Sequence, residues 1–124
     1  SAVLLQALPE AKCLLDGVIL CEPFASIREL ICCPGRLPRP LRFLVANILD
    51  STKALARQSA RIHLLHSAAD ELVPLRHAEL LHQRSPDLTT LHQLAGHSHN
   101  AIWQKSDGGY VAAVVSIIRE MSHE

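Results

Sequence analysis

Residues 61–74 read RIHLLHSAADELVP, and the parsing of this stretch decides the fold. RIHLLH at 61–66 is a short apolar run with the composition of a strand, and SAAD at 67–70 emerges from its C-terminal end. Pro74 then sits where a helix can start, because the N–H it lacks would find no partner in a first turn, and the helical spacing continues to about Arg84. Ser85-Pro86-Asp87 is a turn, and LTTLHQL at 88–94 is a further strand ending at Ala95-Gly96. A polar loop follows with His97, Ser98, His99 and Asn100, and an amphipathic helix is predicted from about Gly109 to Met121.

The same alternation holds upstream. Asp16-Gly17 is a turn pair, and Val18-Ile19-Leu20-Cys21 is a β-branched apolar run closed by Pro23. Such a run fits a strand covered on both faces, as in a parallel sheet. Ser26 and Glu29 form a capping box ahead of Ile27, Leu30 and Ile31. Pro34, Gly35, Pro38 and Pro40 break the chain into a loop before apolar positions return at helical spacing over 41–49. Asp50-Ser51-Thr52 offers an N-cap for a short helix to about Gln58, and SAVLLQAL at 1–8 is helix-prone until Pro9 stops it. Helices and strands that alternate in this order imply an α/β layer with about three parallel strands and right-handed crossovers.

Composition narrows the function classes. The chain has 124 residues, 48% of them apolar, a mean hydropathy of +0.16, and 12 basic against 12 acidic side chains. One domain, or part of one, fits that length, and the apolar share argues against disorder. Zero formal charge and the lack of a dense Lys/Arg run predict no nucleic-acid partner. The longest apolar stretches are about five residues, against the roughly twenty that a membrane span needs. No secretory signal opens the chain, which begins with Ser1 rather than Met and reads as the continuation of something longer. Four cysteines without a CxxC pair suggest neither a disulfide scaffold nor zinc chemistry, and the adjacent Cys32 and Cys33 read as reduced thiols that favour an intracellular setting.

In open parallel sheets, functional groups gather beyond the C-terminal ends of the strands. Asp70 follows the second strand and His99 the third, 29 positions apart. A carboxylate that accepts from an imidazole fixes its tautomer and stabilises the imidazolium, so the two form the supporting half of a nucleophilic triad in the order acid, then histidine. The competing structural role for Asp70 is to cap the helix that follows. His97 is the second candidate for the base. His97 and His99 also make an HxH pair, but no third ligand stands at a recognisable spacing, so no metal is expected. His63, His66, His77, His82 and His92 read as structural groups, Arg28 as a surface arginine on a capped helix, and Trp103 and Tyr110 as packing between the His97–His99 loop and the last helix.

HSAADELVP at 66–74, then a helix, a strand and GHSHN at 96–100, resembles the C-terminal half of the α/β-hydrolase fold. DGVILCEPFASIREL at 16–30 is similar to the preceding strand and the entry to the cap of that family, nearest to its monoacylglycerol- and lysophospholipid-lipase-like members. The resemblance covers nearly the whole chain and implies a single partial α/β-hydrolase domain over 1–124, with a cap-like insertion at about 23–58. It implies Asp70 as triad acid and His99 as base, with Asn100 after it. Ser67 and Ser98 stand where the family usually has glycine. The family's nucleophile lies in a GxSxG elbow, which does not occur here, and SAVLLQAL resembles the residues just after that elbow.

Two functional expectations follow. The first is a segment of a serine hydrolase that cleaves carboxylic esters of lipid-like substrates, needing water and no cofactor. The alternative is a truncated, non-catalytic relative that binds or associates. On this second reading the Val18–Cys21 strand is expected to leave an open sheet edge, through which copies of the chain would associate.

Overall fold

The computed structural model describes residues 2–8, 16–26, 50–95 and 109–123. Within them the order is α1 (Ala2–Ala7), β1 (Gly17–Cys21), α2 (Ser51–Leu55), β2 (Arg61–Ser67), α3 (Arg76–Arg84), β3 (Thr89–Leu94) and α4 (Gly109–His123). The three strands form one parallel sheet in the order β1-β2-β3. Gly17 is opposite Arg61 in the β1–β2 ladder and Ile62 opposite Thr89 in the β2–β3 ladder. The α/β arrangement expected from the alternation of runs is therefore the one observed.

β2 is the middle strand, and every residue from Ile62 to Ser67 is buried. That explains its lack of apolar/polar alternation: a strand with helices on both faces needs apolar groups in both directions. On one face Val18, Leu20, Ile62 and Leu64 join Leu5 of α1, Leu55 of α2 and Leu81 of α3. On the other, Leu65 and Ile117 of α4 form a smaller cluster with Ile19, Cys21 and Leu94 beside them. Among the described residues the first face buries more side chains. Gln58 adds to it by donating through Nε2 to the Leu5 and Ala54 carbonyls at 2.9 and 3.1 Å, which ties α1 to α2.

The helix ends follow local chemistry. Asp50 caps α2 as its sequence implied, accepting from the Lys53 N–H at 3.1 Å and from the Thr52 hydroxyl. α3 starts at Arg76, and Pro74 lies just outside it, its carbonyl accepting from the His77 N–H at 3.0 Å. At the other end of α3, His82 Nδ1 and the Thr89 hydroxyl are 2.9 Å apart, which joins the helix to the start of β3.

α4 carries apolar groups on two sides. Ile117 is buried, whereas Val111, Val115 and Ile118 stand 65%, 40% and 47% exposed as a second stripe. Most of the expected cap, residues 27–49, lies outside the described residues, as do residues 96–108 with His97, His99 and Trp103, while the side chain of Tyr110 is likewise not described. Among the described residues no helix is long and apolar enough to cross a membrane.

Candidate functional site

Adjacent parallel strands place their C-terminal ends side by side, so the residues that follow β1 and β2 meet. Glu22 immediately follows β1. Its N–H continues the ladder to the Leu65 carbonyl at 2.8 Å, and its backbone turns with φ 48°. A non-glycine residue in that left-handed region costs on the order of 1 kcal/mol and persists where its surroundings hold it. Here Pro23 is buried behind it, the Ala25 N–H donates to His77 Nδ1 at 3.2 Å, and Ser26 bridges to Asp50. The turn aims the Glu22 side chain across β2, where Oε1 accepts the Ser67 N–H at 3.0 Å.

Asp70 lies just beyond β2, and its side chain is fully buried. Its Oδ1 accepts the N–H groups of Leu72 and Val73 at 2.8 and 2.9 Å. Two donors on one oxygen stabilise the charged carboxylate and fix its plane. The carboxylate therefore caps the 71–73 turn ahead of α3 rather than α3 itself. Both capping bonds use one oxygen.

Asp70 Oδ2 lies 3.9 Å from His66 Nε2, and Glu22 Oε2 lies 3.1 Å from the same nitrogen. His66 Nε2 is also 2.7 Å from the Val73 carbonyl, an oxygen that can only accept, so this nitrogen carries the proton. His66 thus ties β2 to the turn that bears Asp70. Burial pushes the Glu22 carboxyl up from an ordinary 4.5 to about 8. Hydrogen bonding with Asp70 and the charge of Asp70 act in the same direction, and the Ser67 N–H opposes them. Two carboxyls this close hold one proton more easily than two charges. Near neutral pH this pushes Glu22 toward its protonated form.

Glu22 had no role in the sequence reading. The signal available was a charged residue at the end of an apolar strand and before a proline, Cys21-Glu22-Pro23. Of the residues singled out beforehand, Asp70 is placed at the C-terminal end of the middle strand, while His99 and its rival His97 lie outside the described residues. Two surface hollows, one along Arg76, Leu80 and Gln83 and one around Asp50, Lys53 and Ser85, are not lined by Asp70 or Glu22.

A structural comparison finds a similar fold in an esterase domain from a Rhodothermus marinus protein, with a TM-score of 0.64 at 15% sequence identity. The match covers 93% of this chain and 54% of that one. The chain thus spans about half the length of the esterase domain it resembles, and at this identity the likeness speaks for the fold. No family profile and no curated protein sequence matches the chain.

Proposed function

We propose that this chain is the acid- and base-bearing part of a serine esterase, with Asp70 as the triad acid and His99 as the base. A serine supplied by sequence other than these 124 residues attacks the ester carbonyl. His99 takes the serine proton and passes it to the departing alcohol, and water then releases the acid from the acyl-enzyme by the same route. Asp70 orients His99 and stabilises its charged form. The observation that carries the reading is the Asp70 carboxyl itself, buried past the middle strand with one oxygen fixed by two backbone donors. The esterase-domain likeness supports the same reaction class. The similarity of 16–30 to monoacylglycerol- and lysophospholipid-lipase-like proteins supports a lipid-like ester as substrate, with the proline-rich segment after Pro23 shaping the acyl pocket.

The test is ester turnover by the intact protein on p-nitrophenyl esters of increasing chain length. Asp70→Asn and His99→Ala are each expected to lower kcat by about three to four orders of magnitude with KM little changed. Full activity in His99→Ala, with loss in His97→Ala, would move the base to His97. Intact protein that neither turns over esters nor reacts with a fluorophosphonate would end the hydrolase reading in favour of a binding or association role.

A further inference from the structure

A second set of ligating side chains lies on the α4 face of the sheet, away from Asp70. His63 is on β2, and its register partner on β3 is Thr90. His92 is two residues further along β3, so the pleat returns it to the same face as His63. His63 Nδ1 and His92 Nε2 are 3.0 Å apart, with ring centroids separated by 5.3 Å and the rings inclined by 27°. α4 crosses this face and brings Glu120 to the pair. One ligand atom from each of His63, His92 and Glu120 lies within 4.8 Å of the other two.

We propose that His63, His92 and Glu120 bind a divalent transition cation of the Zn2+ type, which ties α4 to the sheet. The donor set selects the class of ion. Two imidazole nitrogens with one carboxylate suit Zn2+ and its neighbours, whereas Mg2+ and Ca2+ take oxygen ligands almost throughout. Three protein ligands leave a fourth, tetrahedral position for water. At a Zn–N distance of about 2.0–2.1 Å, two tetrahedral ligand nitrogens stand roughly 3.3 Å apart, so the histidines need to separate by only a few tenths of an ångström. Imidazole binds a metal as the neutral ring through a lone pair, so the ring that now donates this hydrogen bond carries its proton on its other nitrogen once the metal is bound. Glu120 supplies the remaining adjustment, since it is exposed and on a flexible stem.

The other cluster with the right residue types, Glu22, His66 and Asp70, is the poorer host. His66 Nε2 already donates to the Val73 carbonyl, and Asp70 Oδ1 is occupied by two N–H groups. A cation there would have to break bonds that hold the 71–73 turn.

The experiment is Zn2+ titration of the metal-stripped protein by calorimetry, with Co2+ absorption to report tetrahedral nitrogen coordination. Variants are taken from the accessible members, His92→Ala and Glu120→Gln, so that the buried His63 is left in place. The expected result is one Zn2+ per chain and a thermal midpoint that rises with Zn2+ and falls back with chelator. Affinity should drop by at least about a hundredfold in His92→Ala and at least about tenfold in Glu120→Gln, since losing a partner that merely orients a ligand already costs about 10–100-fold. Wild-type affinity in His92→Ala overturns the assignment, as does the absence of any Zn2+ uptake. Loss of binding in Glu22→Gln with retention in His92→Ala also overturns it, because the ion would then occupy the other cluster.

Discussion

Glu22, His66 and Asp70 at the carboxyl end of the sheet and His63, His92 and Glu120 on its α4 face both combine histidine with carboxylate, yet their chemistry diverges. In the first group the side chains are 7% exposed or less, and backbone N–H and carbonyl groups hold one atom of each: Glu22 Oε1, His66 Nε2 and Asp70 Oδ1. In the second, two ring nitrogens face each other and the carboxylate stands in solvent. Burial with backbone partners makes a group that stores a proton and holds a shape. Partial exposure makes one whose lone pairs can be given to something else. The difference comes from position on the sheet: the first group sits where loops fold over the strand ends, the second beneath a single helix.

The largest effect should come from separating the turn cap that Asp70 makes from the triad role proposed for it. Asparagine keeps an oxygen for the Leu72 and Val73 N–H groups, whereas alanine leaves both without their acceptor. Asp70→Ala is expected to cost about 2–4 kcal/mol of stability and Asp70→Asn less than about 1 kcal/mol. Activity, by contrast, should collapse in both. Chemical denaturation alongside ester turnover separates the two: a stable and fully active Asp70→Asn protein would leave Asp70 as a turn cap alone.

Glu22 comes next in size. In the unfolded chain its carboxyl ionises near 4.5, and in the folded chain it keeps its proton to about 8. Below 4.5 both states hold the proton and its stabilising contribution is fully present. As pH rises toward 8 the unfolded state gains by ionising, and that contribution is lost. Each unit in this window takes away at most about 1.4 kcal/mol. Glu22→Gln retains an oxygen for the Ser67 N–H but has nothing to ionise. Its stability should decline less than the wild type's between about 4.5 and 8, with the two curves diverging toward alkaline pH. Parallel curves from denaturant titrations over that range would mean that Glu22 ionises normally.

Much of this architecture is written in short runs. VILC, RIHLLH and LTTLHQL announce strands through apolar content bounded by turns, and the Asp50 cap follows from a side chain that can reach its own helix start. The place of Asp70 just past the middle strand was legible because it follows an apolar run directly. Glu22 was not, because its importance depends on a left-handed backbone that glutamate rarely adopts and on β1 lying next to β2. His63 and His92 were visible as histidines on strands, but their meeting depends on register, and no local pattern fixes which residue of β3 stands beside β2. Glu120 is one of several charges on an amphipathic helix until the helix is laid on the sheet.

The smallest effect probes how firmly that helix is laid. A Cβ added at Gly17 would come within 2.5 Å of Met121 Sδ, next in sequence to Glu120. The obstacle is the far end of an unbranched side chain, which can swing aside, and alanine suits a strand better than glycine does. Gly17→Ala should therefore change stability by no more than about 1 kcal/mol, whereas Leu64→Ala on the opposite face should cost about 2–5 kcal/mol. Equilibrium unfolding of the two variants measures the contrast. A large loss in Gly17→Ala would show α4 seated as rigidly as the helices across the sheet. Glu120 would then close on His63 and His92 by rotation of its side chain alone, with its backbone held in place.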